Sequence, residues 1–371
     1  MKFFVYDESM ANTKAKITVS KLAAMSDIVA SEKKYLTAGD SSAPNELTLD
    51  ANVLIAVGNS VFKSAETALT VSNLDTGSGF AAGSDYYVYC CDPTSGAEAT
   101  DTDEVYKISL NATYPDGYTA DNSRKIGGFH YGTVRVTDDT GRAVGTDGSE
   151  YGTSWASNVY TGIVPASVWT LLHRPKCEDP SGMVYVGAGM WVDIYMASDD
   201  GANGCASVYN TAPMTGTECI NWYLANERAR RVGKRLPTYA EYCQYAYGSP
   251  EGTDSGNTNA WTATGNTGRH NTGLIANATS AVGCRDCVGN VWEWLDDSVL
   301  DPTASSWNWY DITDNKGFGD MYIPSSTAFH ALIAGGDWSN GVRCGARAVN
   351  ASTYPWLVLA SIGFRCVCDS L

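Results

Sequence analysis

Charge is scarce in this chain and unevenly signed. Only 18% of the 371 residues are charged, and 41 Asp and Glu against 25 Lys and Arg leave a formal net charge of -16. Such a surface repels a phosphate backbone or an anionic bilayer at long range, so nucleic acid and membrane headgroups are poor partners. The basic cluster Arg228, Arg230, Arg231, Lys234 and Arg235 is too local to reverse that field. No apolar run reaches membrane-spanning length, which argues against membrane insertion. The opening MKFFVYDES is cut by Asp7 and Glu8 before an apolar h-region forms, so no signal peptide is expected. Histidine is nearly missing: His130, His173, His270 and His330 are the four, and none stands in an HExxH or a nucleophile elbow. A satisfied structural histidine is the expectation for each. The glycines of SGMVYVGAG lack the spacing and the lysine of a phosphate-binding loop. The 11 cysteines are an odd number, which leaves at least one thiol unpaired and suits a protein made in a reducing compartment better than a disulfide scaffold. Most are expected to act as small buried hydrophobes.

What is present is core material. Hydrophobic residues make up 44%, with 11 Trp, 22 Tyr and 37 Gly, the composition of a β-rich globular protein with long loops. The length suits two or three domains. Residues 1–48 are polar with weak periodicity, either an attachment segment or a loosely packed arm. Residues 49–165 alternate β-branched and aromatic runs with Gly, Asp, Ser and Asn clusters, which predicts an antiparallel β-sandwich. The stretches DPTSGAEATDTDE and TDDTGRAVGTDGSE within it read as solvated loops. Residues 166–371 form an α+β domain, in which GMVYVGAGMWVDIYMAS supplies one or two strands. The run TECINWYLANERARRVG changes to helical period, placing Ile220, Tyr223, Leu224 and Arg231 on one face and Gly233 at the stop. A second helix follows Pro237, with Thr238 and Glu241 at capping-box spacing and Gly248 as terminator.

One short segment carries a possible metal site. In DCVGNVWEW, residues 286–294, Asp286 and Glu293 bracket a glycine-containing turn whose carbonyls can point between them. That oxygen set suits calcium. The alternative is a turn with solvated carboxylates and with Trp292 and Trp294 in the core. Cys284 and Cys287 have CxxC spacing without a second such pair. Cys366 and Cys368 are separated by one residue on an apparent strand, and a zinc site is not expected.

Four stretches taken in order, GKRLPTYAEYCQYAYG, VGNVWEW, GGDW and GFRC, resemble the C-type lectin fold of the formylglycine-generating-enzyme type over about residues 180 to 369. With SRKIGGFHYG, HRP and PSGMVYVGAGMWVDIYMAS, the chain from about residue 50 is similar to the phage tropism determinants, variable proteins of diversity-generating retroelements. The resemblance implies a structural calcium ion held by the side chains of Asp286 and Glu293 and the carbonyls of Cys287, Gly289 and Val291, and a loss of thermal stability on chelation. It also allows an oxidase, but the copper-binding cysteine pair of such enzymes is absent, because the segment that would hold it is only WSNGV. Cys344 matches a structural position. The enzyme reading is therefore disfavoured.

In the variable relatives, template adenines are mutagenised so that selected codons become NNY. Laid on this chain, the pattern implies variable, ligand-binding positions at Asp337, Ser339, Asn340, Gly341, Arg343, Asn350, Ser352, Thr353, Leu357, Leu359, Ser361 and Ile362. An NNY codon can encode each of them. A strand over residues 337–343 would send the first of these outward and Trp338 and Val342 inward, with Cys344, Ala346 and Ala348 extending the inward set. Tyr354 and Trp356 are expected to cover the sheet. The implied function is receptor binding at a phage tail-fibre tip, by a protein made in the host cytoplasm and carried on the virion. Its implied partners are a bacterial surface protein or glycan, two further copies in a homotrimer, and other tail-fibre proteins. A cellular, surface-displayed variable protein is the other binding alternative.

Overall fold

The computed structural model describes residues 17–18, 28–58, 60–93, 105–252, 256–300, 307–310, 321–324 and 329–371. Two compact units divide the chain: residues 1–131 with 168–173, and residues 132–167 with 174–371.

In the first unit, Leu36–Ala38, Leu47–Leu49 and Thr67–Leu69 make an antiparallel three-stranded sheet, and Leu36, Leu47, Leu49 and Leu69 turn their side chains fully inward. Tyr35, also buried, donates its hydroxyl to the Ile126 carbonyl at 2.7 Å. Residues from Tyr35 onward therefore belong to a packed core, not to a loose arm, and most of the earlier part of segment 1–48 lies outside the described residues. A second sheet orders Ile17–Thr18, Ser60–Lys63, Leu54–Val57 and Ile28–Val29. The third is built on the long strand Ser123–Arg135, which pairs with Ser84–Cys91 and with Trp169–Thr170, while Val105–Ser109 pairs with the far edge of Ser84–Cys91. Glycine is needed where Trp169 crosses it: an added Cβ on Gly127 would lie 2.4 Å from the Trp169 carbonyl oxygen, and one on Gly128 would lie 2.8 Å from the Trp169 ring. The strands of the predicted 49–165 region are thus antiparallel as the alternation requires, spread over three sheets that also take in Ile17–Thr18, Ile28–Val29, Leu36–Ala38, Leu47–Leu49 and Trp169–Thr170. Within this unit His130 meets Asp85 at 3.0 Å, a structural partner. Of the two acidic stretches, 94–104 lies outside the described residues. The other is a series of turns in which Asp138 and Asp147 accept hydrogen bonds from Thr140 and Ser149.

The second unit contains a hairpin, Met183–Gly187 against Met190–Asp193, whose outer neighbour is the C-terminal strand Val367–Asp369. Its main sheet orders Val349–Thr353, Phe329–Ala334, Trp292–Leu300 and Ile362–Phe364; the last pair is parallel, with Trp292 opposite Ile362 and Trp294 opposite Phe364. Two helices pack with this sheet. Helix α1, Trp222–Arg231, starts at an Asn221 cap and ends at Gly233, whose φ of 72° lets the Gly233 and Lys234 N–H groups return to the carbonyls of Arg230 and Ala229. Its inner face differs from the predicted one. Ala225, Asn226 and Ala229 are buried, whereas Tyr223 and Leu224 are exposed and Ile220 precedes the helix. Small residues let the helix lie close to the core, and the large ones are left outside. Helix α2, Tyr239–Tyr245, has the predicted capping box, with Thr238 Oγ1 accepting from Glu241 N–H at 3.3 Å and Glu241 accepting from Thr238 N–H at 2.8 Å. Trp294, Ile333, Phe364, Leu236 and Ala229 form one core cluster, and Tyr242, Tyr245, Leu295 and Val367 anchor another.

Candidate binding surface

Beneath the C-terminal loops lies a fully buried ion pair. Arg365, in the GFRC motif, donates Nη2 to Glu293 at 2.9 Å and Nε to both carboxylate oxygens at 3.2 Å. Tyr245 donates its hydroxyl to the same carboxylate at 2.7 Å. The remaining guanidinium protons go to the carbonyls of Asp193, Ile194 and Arg285, so every side of the group has a partner. Burial alone would lower the Arg365 pKa, but the Glu293 charge beside it outweighs that and raises it well above its ordinary value. A second buried arginine, Arg285, donates to the carbonyls of Gly273, Ile275 and Ala276 and pins the 273–279 loop.

These contacts correct the expected calcium site. Glu293 is closed off by Arg365 and Tyr245, Asp286 accepts the Gly273 N–H at 2.6 Å, and the Cys287 carbonyl accepts the Tyr242 hydroxyl at 2.6 Å. Gly289, at φ 80°, is packed so closely that a Cβ would lie 2.4 Å from Thr262 Cγ2, and Val291 is buried in the core. Two arginines and two carboxylates, Arg285, Arg365, Asp286 and Glu293, already sum to zero charge. A divalent ion would have to displace a guanidinium in a dry interior, where an unpaired charge costs several kcal/mol. The residues present do not fit calcium, and no His, Cys, Asp and Glu group among the described residues could hold another metal. The simpler alternative of solvated carboxylates fails as well, since both acids are buried.

On this base sit two loop segments. The Trp338 N–H donates to the Asn290 carbonyl at 3.0 Å, and the Trp292 N–H donates to the Ser361 carbonyl at 2.9 Å. The segments around 338 and around 361 therefore dock two residues apart on one stretch of backbone. Asn290 itself is fixed: buried, at φ 62°, it accepts from His270 N–H at 2.8 Å and donates to the His270 carbonyl at 3.0 Å, while the His270 ring lies 4.3 Å from that of Trp261. A third anchor is the Leu359 carbonyl, which accepts the Gly216 N–H at 3.0 Å.

Residues 337–343 do not form the predicted strand. Asp337, Ser339 and Asn340 make a side-chain-bonded turn, and Gly341–Arg343 is a 3-10 turn. Val342, expected inward, is 61% exposed. Of the twelve expected ligand-binding positions, three are part of the frame. Ile362 is 2% exposed and sits in the Trp294 core, Thr353 is buried opposite Ala331, and Gly341 is buried at φ 56° with its N–H bound to the Thr262 carbonyl. Parallel pairing with Trp292 buries the first, which alternation counted along the chain could not show. The other nine, Asp337, Ser339, Asn340, Arg343, Asn350, Ser352, Leu357, Leu359 and Ser361, are exposed or half-exposed. Between them stand two residues expected to be cover. Trp356 is 55% exposed and stacks on Tyr354 at 4.9 Å with 12° between ring planes, and His330 meets the Tyr354 ring edge-on at 4.7 Å. Pro355 between them, whose carbonyl accepts the Trp222 N–H, is the sequence signal that the strand has ended before this pair.

A family model of the Mtd second domain matches residues 37–156. The tail fiber receptor-binding protein of Bordetella phage BPP-1 is 29% identical over 342 residues, covering 87% of this chain and 80% of that protein. The M1 variant of the Major Tropism Determinant superposes over 93% of this chain and 85% of its own at a TM-score of 0.67 and 24% identity. Serine/threonine-protein kinase Pkn1 of Chlamydia trachomatis serovar L2 is 28% identical over 171 residues, 43% of this chain but 25% of the kinase. The mostly β architecture, with α1 and α2 beside the main sheet, is a C-type lectin fold. In fold the chain is similar to the Major Tropism Determinant variants, and in sequence to the tail fiber receptor-binding protein of the Bordetella phage.

Proposed function

We propose that this chain is a phage receptor-binding protein, carried on the virion at a tail fibre, whose loops between Asp337 and Ser361 bind a ligand on the bacterial surface. The observation that carries the reading is the separation of roles along one short stretch. Nine side chains of five kinds, acidic, basic, hydroxyl, amide and aliphatic, reach solvent, while Gly341, Cys344 and Thr353 between them and Ile362 just after them are buried in the frame. Exposed positions of that kind tolerate exchange within about ±0.5 kcal/mol, the condition for a diversified binding face on a rigid scaffold. The relative from Bordetella phage BPP-1, described as a tail fiber receptor-binding protein, supports it. The one thiol in the loop region, Cys344, is buried, its pKa is pushed up to about 12 by burial, and its Sγ donates to the Asp337 carbonyl.

The finer reading is a trimer presenting three such faces, so that weak sites bind together at high effective concentration. Replacing Ser339, Arg343, Asn350, Ser352 and Leu359 together by Ala should abolish adsorption of the purified protein to bacteria that it otherwise coats, with an unchanged melting temperature. Undiminished adsorption would refute the assignment of the face. Light scattering of the intact protein that gave a monomer at micromolar concentration would refute the trimer. Adenine-directed differences between a neighbouring template repeat and codons 337–361 would establish diversification, restricted to the nine exposed positions.

A further inference from the structure

Away from the binding surface, four of the buried cysteines lie against one another in two sets. In the C-terminal run CVC, Cys366 immediately precedes the strand Val367–Asp369 and Cys368 lies within it. Each meets another cysteine there. Cys366 Sγ lies 3.5 Å from Cys205 Sγ, which belongs to the loop leading into the short strand Ala206–Ser207. Cys368 Sγ accepts the Cys177 N–H at 3.3 Å. All four residues are buried. Lys234 and Asp193, whose charges act on these sulfurs, pair with each other at 2.6 Å. Each set holds two cysteines, too few for a tetrahedral metal site.

Small buried hydrophobes need no such pairing. A cysteine that only fills space has no reason to lie against another cysteine, and here both cysteines of the CVC run do so, across separations of 161 and 191 residues. Closing the first pair requires the sulfurs to approach from 3.5 Å to about 2.05 Å, a movement within reach of small side-chain adjustments.

We propose that Cys205 with Cys366, and Cys177 with Cys368, are oxidisable pairs that close as two disulfides when the protein folds in or equilibrates with an oxidising medium. The bonds would staple the C-terminal run CVC to the Cys205 loop and to the segment around Cys177. In each, two S–H bonds break and one S–S bond forms. The two electrons and two protons pass to a small-molecule disulfide such as oxidised glutathione, whose own S–S bond is cleaved to two thiols through a mixed disulfide. Hydrogen bonding from Cys177 lowers the Cys368 pKa to about 6, which supplies a thiolate for the second exchange. A chain made with all 11 thiols reduced and later released from a reducing compartment would pass through both states. The loops closed are long, and chain entropy makes such cross-links the more effective at restricting the unfolded state.

The test is to refold fully reduced, denatured full-length protein in a buffer of reduced and oxidised glutathione, trap remaining thiols with iodoacetamide, and map the peptides. The expected result is two cross-linked peptide pairs, 205 with 366 and 177 with 368, and a melting temperature above that of the same protein refolded in dithiothreitol. Cys205→Ala should remove the first link and keep the second. Folded protein from the glutathione buffer in which either pair is recovered fully alkylated, or cross-linked to other cysteines, would overturn the assignment for that pair.

Discussion

At the scale of single residues, neighbours in the same loop region have opposite sensitivities. Ile362 fills the core between Trp294 and Phe364, and Ile362→Ala should cost about 2–5 kcal/mol in chemical denaturation. Leu359, exposed three residues earlier, is held by its backbone carbonyl, so Leu359→Ala should stay within about ±0.5 kcal/mol. If the two variants lost equal stability, the division between frame and exchangeable positions would be wrong. Trp356 tests the other side of that division. With its ring half in solvent and stacked on Tyr354, Trp356→Ala should leave the melting temperature nearly unchanged, yet reduce adsorption by at least about 2 kcal/mol in binding free energy, as an interface anchor does. The composition rule behind the twelve expected positions could be read from sequence alone. Which of them face solvent could not, since Ile362 and Thr353 are buried by pairing with Trp292 and Ala331, residues distant along the chain.

At the scale of elements, local signals were fully legible and packed faces were not. The start of α2 is set within four residues, by Thr238 and Glu241, and the structure shows both halves of the box. Nothing comparably local fixes the inner face of α1, because the choice between Tyr223 and Ala225 depends on how closely the core approaches. The cap also makes a pH prediction. Burial raises the Glu241 pKa, but hydrogen bonds from Arg235 and from the Thr238 N–H outweigh it, leaving the folded value below the ordinary 4.5. A carboxylate depressed on folding stabilises the protein above its unfolded pKa, and the contribution disappears as pH falls through the folded one. Because Glu241 is partly exposed, the effect should be under about 1 kcal/mol. Thermal melts of parent and Glu241→Gln should therefore differ at pH 7 and converge below pH 4.5. A gap that persisted in acid would assign the stabilisation to packing.

At the scale of the whole molecule, the ordered motifs identified the C-terminal fold, while the metal at its centre was inferred from the same motifs and does not fit. The sequence shows Asp286, Glu293 and Arg365 as separate letters, and only folding shows that Arg365 reaches across 72 residues to occupy the carboxylate. Two consequences distinguish a guanidinium from a calcium ion at that position. Arg365→Ala would leave Glu293 buried without its counter-charge, a loss of about 3–5 kcal/mol, and added calcium should not restore it, because the backbone carbonyls of Asp193, Ile194 and Arg285 would also have lost their donor. In the parent protein, a ligand bound only by the folded state at 100 times its dissociation constant adds about 2.7 kcal/mol of stability. A shift of that size would be plain in a melting curve. Millimolar calcium and excess chelator should therefore give superimposable curves, and a higher transition in calcium would return the ion to the Asp286–Glu293 loop and require the Arg365 contacts to rearrange around it.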